Sequence, residues 1–404
     1  MIREAHRRIA DQIVRTPCAS AEWIGELFDS HAWFKLENLQ RTGSFKDRGA
    51  LNRILNLPES QRAAGIVAAS AGNHAQGVAF HGVRLGFRAK IVMPERTPLI
   101  KVSRTQSFGA EVILHGASYD EAMEEACRIR DLEGSTLIHP FDDVHVMAGQ
   151  GTIGLELLEE CPQMEVLVVP VGGGGLIASV ALAVKSVRPD VRVVGVQAER
   201  VAAAVQARAH GRVVKLPAGQ TIADGIAVRQ VGDLTFPLIE EWVDDLVTVP
   251  EEEIASAVLL LLEREKTVAE PAAAVTLAAA VAGKIGEVAG RHVVMLLSGG
   301  NIDVNLLSRI IDRGLTNDGR LARLDVRVED RPGALAALST AIAAQGANIL
   351  QLDHKRGSDG VWLTEVDVEM TLEMRGRKHV EELVASLTGA GYEVRRKSIT
   401  GGSI

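Results

Sequence analysis

One lysine in a turn-like stretch is the residue of this chain best suited to covalent chemistry. Lys46 lies within the sequence TGSFKDRGA at residues 42–50. A lysine amine that is held in place and loses its proton readily can attack a carbonyl group or remove a proton from carbon. Most lysines are solvated, however, and the stretch alone is also consistent with an exposed loop in which Ser44 caps the following helix.

Three other short motifs could bind anions or polar groups beside such a lysine. They are SAGNH at residues 70–74, GGGGL at 172–176 and SGGN at 298–301. Glycines allow backbone N–H groups and a helix N-terminus to approach a phosphate closely, although 172–176 matches neither the Walker pattern nor the dinucleotide-binding pattern. Each motif alone is also consistent with an ordinary turn or cap.

The segments around these motifs follow a repeated order of strand, turn and helix. Their apolar runs are continuous rather than alternating, which is typical of strands in a parallel sheet that helices cover on both faces. The sequence therefore predicts an α/β catalytic unit over residues 1–315, with residues 1–30 largely helical. The predicted strands are 31–36, 65–69, 89–93, 111–114, 166–171, 193–196 and 292–297.

A different pattern follows a polar, glycine-containing linker predicted at residues 316–321. Residues 322–404 are predicted to form strand, helix, strand, strand, helix and strand in the ferredoxin-like βαββαβ order. The third of these strands alternates apolar and acidic residues, so it should be half exposed. The predicted elements are strand 324–328, helix 332–345, strand 348–353, a hairpin turn at 357–360, strand 361–370, helix 378–388 and strand 392–396.

Composition and charge exclude several classes of protein. The chain has 404 residues, a formal net charge of −8 and 3% aromatic residues, so we expect no nucleic-acid partner. The longest uncharged stretch, residues 271–283, is too short to span a membrane, and the N-terminus has no apolar signal segment. Cys18, Cys127 and Cys161 form no disulfide or metal pattern, so reduced thiols and a cytoplasmic location are expected.

Taken together, the four motifs resemble those of fold-type II pyridoxal-phosphate (PLP) enzymes, and most closely the threonine ammonia-lyase (threonine dehydratase) family. The resemblance implies a tryptophan synthase β-like catalytic unit of two lobes, in which a small lobe of about residues 40–145 packs on the rest with the cofactor between them. It also implies that Lys46 holds the cofactor as a Schiff base and then takes the Cα proton of the substrate. The turn at 330–335 makes the C-terminal unit resemble an ACT domain, a small regulatory module of amino-acid enzymes.

The resemblance assigns roles to residues of each motif. The SAGN loop would hold the substrate carboxylate at a helix N-terminus, and the glycine loop would hold the cofactor phosphate. Ser298 would donate a neutral hydrogen bond to the pyridine nitrogen, which makes the ring a weaker electron sink and suits elimination. The cofactor-binding residues implied are Lys46, Phe45, Asn73 (to the ring hydroxyl), Gly172, Gly173, Gly174, Gly175, Leu176, Glu270 and Ser298, and the substrate-binding residues are Ser70, Ala71, Gly72 and Asn73.

Two of the residues near these motifs keep a plainer interpretation. Glu270 is also consistent with a solvated glutamate at the start of a helix, and His74 is predicted to be structural.

The sequence differs from related racemases at two sites, and these differences limit the reactions that the protein is expected to catalyse. Those racemases have serine in place of Ala71, and its hydroxyl acts as acid and base on the face opposite the lysine. They also bind a divalent cation through acidic residues whose places here are held by Gln197 and Ala203, and these side chains cannot supply carboxylate ligands. We therefore expect neither racemisation by that route nor a metal ion.

The expected function is β-elimination of L-threonine to 2-oxobutanoate and ammonia, with L-serine as a poorer substrate. Serine dehydratase and threonine synthase are alternatives of the same fold type, and an amino-acid sensor built on the ACT-like domain is an alternative outside enzymes. That domain is predicted to bind isoleucine or valine for feedback on branched-chain synthesis, although it could also serve only for assembly. The protein is expected to form a homodimer or a homotetramer. The residues predicted for the effector are Asp330, Pro332, Gly333, Ala334, Leu335 and Asn348.

Overall fold

The computed structural model describes residues 1–356 and 362–397. Two compact units divide the chain between Ile302 and Asp303. This division falls thirteen residues before the predicted end of the catalytic unit at residue 315. The hairpin turn predicted at residues 357–360 lies outside the described residues.

The first unit is built on two sheets. Its strands are β1 (Cys18–Ser20), β2 (His31–Leu36), β3 (Ile66–Ala69), β4 (Ala89–Met93), β5 (Glu111–Leu114), β6 (Thr136–Leu137), β7 (Val166–Pro170), β8 (Arg192–Ala198), β9 (Asp245–Val249) and β10 (His292–Leu297). One sheet has the order β1-β2-β10-β7-β8-β9 and the other has the order β5-β4-β3-β6. The strand β1 pairs antiparallel with β2, and the remaining neighbours in both sheets pair parallel.

Helices connect and cover these strands. They are α1 (Ile2–Ile9), α2 (Glu22–Phe28), α3 (Lys46–Leu55), α4 (Asn73–Arg84), α5 (Leu99–Ser107), α6 (Tyr119–Glu133), α7 (Val144–Gln150), α8 (Thr152–Glu160), α9 (Gly175–Lys185), α10 (Ala203–His210), α11 (Thr235–Trp242), α12 (Glu251–Arg264) and α13 (Pro271–Val281). The strand β7 is buried along its whole length and is contacted by both α9 and α13. The predicted parallel α/β architecture is therefore confirmed.

The N-terminal thirty residues contain the helices α1 and α2, in line with the prediction, but they also include the short strand β1, which was not predicted. After α1 the chain continues into β1, which places Cys18 opposite Lys35 of β2. A strand of three residues has no apolar run that would reveal it in the sequence. Its conformation is set by the hydrogen-bond ladder with β2, which a local pattern cannot predict.

The uncharged stretch near residue 275 forms the buried helix α13. Every residue from Pro271 to Ala280 is buried, and Pro271 occupies the first helical position, where its missing N–H costs nothing. Across the described residues, no helix combines the length and the apolar character needed to cross a membrane.

The second unit begins with a helix and continues with the predicted ferredoxin-like order. Its elements are α14 (Val304–Asn317), β11 (Leu321–Glu329), α15 (Ala334–Ala344), β12 (Asn348–Lys355), β13 (Glu365–Glu373), α16 (Arg377–Gly389) and β14 (Glu393–Arg396). The sheet is antiparallel, with the order β12-β13-β11-β14. The helix α14 extends into the predicted linker at 316–321 and ends at Asn317, and β11 begins at Leu321, so the connection is shorter than predicted.

The alternation predicted for the third strand of this unit is observed in β13. Val366, Val368 and Met370 are fully buried, whereas Glu365, Asp367 and Glu369 are partly exposed. One face of the sheet therefore packs on the core of the second unit and the other meets solvent.

Candidate active site

The Lys46 turn is fastened to the loop that follows β10. The Phe45 N–H donates to the Ser298 carbonyl at 3.0 Å, and the Gly300 N–H donates to the Gly43 carbonyl at 2.9 Å. Lys46 is then the first residue of α3. Two motifs that lie about 250 residues apart in sequence thus form one surface, as the resemblance implied.

The amine of Lys46 lies in a poorly solvated place. Its Nζ donates to the Pro140 carbonyl at 2.7 Å and lies 5.1 Å from the centre of the Phe45 ring. Burial lowers the pKa of Lys46 to about 8, although the charge of Glu270 acts in the opposite direction. The amine can therefore lose its proton near neutral pH, which nucleophilic attack and proton abstraction both require.

A line of amide side chains connects the SAGN and SGGN motifs. Asn301 Nδ2 donates to Asn73 Oδ1 and to the Thr42 carbonyl, both at 2.7 Å. Asn73 Nδ2 donates in turn to Glu270 Oε1 at 2.7 Å. No role was predicted for Asn301, because its place in the SGGN motif does not reveal which groups its amide contacts.

Glu270 is a buried carboxyl group rather than a solvated one. Its side chain is 5% exposed. Burial and the neighbouring charge of Asp224 raise its pKa to about 7, while the hydrogen bond from Asn73 opposes this rise. The alternative of a solvated glutamate at a helix start is therefore wrong, although the first turn of α13 does follow Glu270 directly.

The SAGN loop ends a strand and opens a helix, as predicted. The Gly72 N–H donates to Ser70 Oγ at 3.1 Å, and α4 begins at Asn73. In the described part of the chain, no atom lies within 4 Å of the position that a Cβ on Gly72 would take, so the loop borders open space. Ser70, Ala71, Gly72 and Asn73 are partly exposed, and this helix N-terminus can accept a carboxylate.

His74 lies on the buried side of the same helix. Its Nε2 pairs with the Ile138 carbonyl at 2.8 Å. Burial and the charge of Lys46 lower the pKa of His74 to about 3, so the ring is neutral at physiological pH. This supports the prediction of a structural role.

The glycine loop between β7 and α9 is closely packed on its outer side. A Cβ on Gly173 would lie 2.4 Å from the Phe141 ring, and one on Gly174 would lie 2.7 Å from Thr235 Oγ1. Gly174 also has a φ of +94°, which residues with a Cβ rarely adopt. The backbone of this loop leads directly into the N-terminus of α9, whose first N–H groups have no intrahelical acceptors. The loop consists of Gly172, Gly173, Gly174, Gly175 and Leu176.

Two segments join the lysine to the glycine loop. Pro140 accepts the hydrogen bond of Lys46, and the adjacent Phe141 contacts the glycine loop. A short turn at Asp224–Ile226 passes between Glu270 and the loop: a Cβ on Gly225 would lie 3.3 Å from Glu270 Oε1, and a Cβ on Gly172 would lie 3.2 Å from Ile226 Cα. The turn had no signal in the sequence, because it belongs to an irregular segment.

These residues fit pyridoxal phosphate. The amine that would hold it is poorly solvated, and the loop that would hold its phosphate is a backbone cradle that side chains would fill. The Ser44 hydroxyl, beside Gly299, is buried without a hydrogen-bond partner among the described residues. Ser298 is 2% exposed and lies at the end of β10, where the resemblance placed the ring nitrogen.

A buried ionic cluster supports α3 beneath the lysine. Arg48 donates to both oxygens of Glu37, at 2.8 and 2.9 Å, and to both oxygens of Glu156. Lys35 Nζ also donates to Glu156, at 2.7 Å. Burial alone would lower the pKa of Arg48, but Glu37 and Glu156 outweigh it and raise the pKa above its usual value. No role was predicted for Arg48, because its local sequence does not reveal these partners.

Gln197, which stands in place of one acidic ligand of the racemases, has other partners, and Ala203 is fully buried. Gln197 Nε2 donates to the Val171 carbonyl at 3.1 Å, and its Oε1 accepts from the N–H groups of Ala204 and Val205 at 2.8 and 3.1 Å. In the described residues, no group of three or more His, Cys, Asp or Glu side chains could hold a metal ion. The absence of a metal stays a prediction.

The predicted effector residues of the second unit do not all meet within one chain. Gly333, with a φ of +86°, immediately precedes α15, and the Asp330 carboxylate accepts from Arg356 at 2.9 and 3.0 Å. The preceding strand ends with Glu329 opposite Glu365, whereas Asn348 lies opposite Glu373. Because β13 runs over nine residues between these points, Asn348 and the turn at 330–335 are separated by roughly 26 Å.

Comparisons with known proteins agree with this arrangement. The family model described as pyridoxal-phosphate dependent enzyme matches residues 9–299, and an ACT domain model matches residues 316–390. An L-threonine ammonia-lyase of Thermotoga maritima is 49% identical, and one of Geobacter sulfurreducens is 45% identical, each over 98% of this chain and 98% of the relative. The structure of the processed form of threonine deaminase isoform 2 from Solanum lycopersicum is similar with a TM-score of 0.73 and 36% identity, covering 77% of this chain and 87% of that one.

Proposed function

This chain belongs to the family of pyridoxal-phosphate dependent enzymes and carries a C-terminal ACT domain, and from this premise we propose that it converts L-threonine to 2-oxobutanoate and ammonia. The observation that carries the proposal is the position of Lys46. Its poorly solvated amine, with a pKa of about 8, lies where the SAGN, SGGN and glycine-loop motifs converge. The full-length likeness to two L-threonine ammonia-lyases supports the choice of substrate.

Lys46 would act twice in this reaction. Bound pyridoxal phosphate supplies a conjugated ring that accepts electrons from the substrate Cα. Lys46 would hold the cofactor through its amine. The same amine, when free, would lie near the substrate Cα and accept its proton, because its lowered pKa leaves much of it neutral near pH 8.

The other motifs would bind and orient the substrate and the cofactor. The loop of Ser70, Ala71, Gly72 and Asn73 would hold the substrate carboxylate in the open space beside Gly72. The backbone of Gly172 to Leu176 holds the phosphate at the N-terminus of α9. Ser298 donates a neutral hydrogen bond to the ring nitrogen, which favours elimination over chemistry that needs a long-lived carbanion.

Ala71 and Gln197 support a lyase rather than a racemase. Ala71 carries no hydroxyl that could return a proton to the opposite face of Cα, and the Gln197 amide already has three backbone partners. Both features fit a one-way elimination that needs only Lys46 as its base.

The ACT domain would bind isoleucine or valine in a feedback role on branched-chain synthesis. The turn at 330–335 offers N–H groups at a helix start to an amino-acid carboxylate. Since Asn348 lies at the other end of the sheet, a ligand that touches both would need the turn of one copy and Asn348 of another. The exposed edge strand β12, on which Leu350 is 54% exposed, is consistent with a homodimer or homotetramer.

The proposal is tested by the initial rate of 2-oxo acid release from the PLP-loaded full chain. We expect rapid release with L-threonine, slower release with L-serine, and none with O-phospho-L-homoserine, a substrate with a phosphate leaving group. L-isoleucine should lower the rate with L-threonine. A protein that retains the cofactor, releases no 2-oxo acid from threonine and instead releases inorganic phosphate from the phosphate ester would be a synthase. Rates that are indifferent to isoleucine and valine would overturn the effector assignment.

A further inference from the structure

A buried acid stands directly after the catalytic lysine. Asp47 is fully buried, as is His81 of α4, whose Nε2 lies 3.3 Å from Asp47 Oδ1. Placing a carboxylate in the interior is costly unless hydrogen bonds satisfy it. Here the partner is Thr42, whose N–H donates to Asp47 Oδ2 at 3.0 Å and whose hydroxyl donates to Oδ1 at 2.6 Å. Asp47 therefore closes the turn that contains Lys46.

Thr42 also connects this turn to the asparagine side chains of the site by hydrogen bonds. Its carbonyl accepts one N–H of Asn301, at 2.7 Å, and Asn301 uses the same amide nitrogen to reach Asn73 Oδ1, also at 2.7 Å. Asn73 must then direct its own amide nitrogen toward Glu270 Oε1, at 2.7 Å. An asparagine side chain has an oxygen that accepts and a nitrogen that donates. Because the Thr42 carbonyl can only accept, it requires the nitrogen of Asn301 to face it. This in turn sets which end of the Asn73 amide faces Asn301 and which faces Glu270.

We propose that Asp47 is a positioning residue for the reaction at Lys46, because it holds the Thr42 carbonyl that orients the Asn301 and Asn73 amides and the hydrogen bond on Glu270. The proposal rests on the function proposed above only in assigning the cofactor and substrate to this site. Asp47 would act through Thr42, Asn301 and Asn73 rather than by contact with either of them. One donor of the Asn73 amide remains for the cofactor ring hydroxyl, and its direction depends on the same line.

Two substitutions weaken this line by different amounts. Thr42→Val keeps the shape and the N–H but removes the hydroxyl bond to Asp47. Asp47→Asn can keep the bond from the Thr42 N–H, but its amide nitrogen would have to donate to the Thr42 hydroxyl, and both bonds lose the charge of the carboxylate that strengthens them. The control is Leu51→Ala, one turn further along α3, since Leu51 is fully buried and packs against Ile9 and Ile13 away from the turn.

We expect Asp47→Asn to lower kcat by about ten- to a hundredfold with a much smaller change in KM, as misplaced catalytic groups do. Thr42→Val should fall between this variant and the wild type. The pH midpoint of the bound cofactor's absorption band should shift in both variants. Leu51→Ala should lower the melting temperature and leave kcat and that midpoint unchanged.

The apoprotein gives an independent measurement. The rate at which acetic anhydride modifies Lys46, measured by peptide mass mapping across pH, should change in Asp47→Asn and Thr42→Val and not in Leu51→Ala. This measurement still reports on Asp47 if threonine proves not to be the substrate. The proposal is overturned if both variants lose stability as Leu51→Ala does while kcat, the absorption midpoint and the Lys46 labelling rate match the wild type.

Discussion

At the residue scale, burial moves the pKa values of Lys46 and Glu270 toward each other, to about 8 and about 7. Each group alone would favour its neutral form in this poorly solvated place. For Lys46 the charge of Glu270 opposes that tendency, and for Glu270 the hydrogen bond from Asn73 opposes it. The pKa of the lysine therefore depends mainly on burial and in part on a residue 224 positions away, which no local motif could reveal.

This pairing predicts a pH effect for Glu270→Gln. Lys46 attacks the cofactor carbonyl as a neutral amine, so covalent attachment by the apoenzyme should accelerate as the pH rises through about 8. Removing the Glu270 charge removes the interaction that raises the Lys46 pKa, so the midpoint should move to lower pH. Stopped-flow absorbance after mixing with pyridoxal phosphate measures it.

Glu26→Gln serves as the control for that measurement, because Glu26 is an exposed carboxylate on α2. Its midpoint should equal that of the wild type. A midpoint that rises or stays constant in Glu270→Gln would contradict the account of the Lys46 pKa.

At the element scale, the glycine loop shows both what the sequence could predict and what it could not. The apolar run of β7, the glycines and the helical pattern of α9 predicted a strand, an anion-binding loop and a helix. Gly173 and Gly174 cannot be replaced by larger residues, because a Cβ at either position would clash with Phe141 or Thr235. These two residues come from other parts of the chain. The short strand β1 was missed for a related reason, since its only signal is its ladder with β2.

The loop predicts that Gly174→Ala weakens cofactor binding. The added Cβ would lie 2.7 Å from Thr235 Oγ1 at a φ of +94°, so the backbone must move away from the position that holds the phosphate. We expect the Kd for pyridoxal phosphate, measured by fluorescence titration, to rise at least about tenfold, the cost of losing one or two charge-assisted hydrogen bonds.

Gly211→Ala is the matched control. Gly211 also has a positive φ, +64°, but no described atom lies within 4 Å of its Cβ position. It should cost about 1 kcal/mol of stability from backbone strain and leave the Kd unchanged. An unaltered Kd in Gly174→Ala would show that this loop does not hold the phosphate.

At the scale of the whole molecule, the sequence predicted the two kinds of fold and the convergence of four motifs on Lys46. Continuous apolar runs indicated the parallel sheets, and the alternation in β13 indicated a half-exposed strand. The sequence could not predict the positions of residues that depend on how distant strands pair and how distant segments pack. The ionic cluster of Arg48, Glu37, Glu156 and Lys35 joins segments far apart in sequence, and the pairing of β11 and β12 with β13 separates Asn348 from the turn that it was expected to face.

The central claim is that one lysine of the chain, Lys46, carries the cofactor. Sodium borohydride reduction of the PLP-loaded full chain makes that bond permanent, and peptide mass mapping then locates it. We expect a pyridoxyl phosphate group on the peptide that contains Lys46 and none in Lys46→Ala treated in the same way. A label on any other lysine, or an unlabelled wild type that still retains the cofactor, would contradict it.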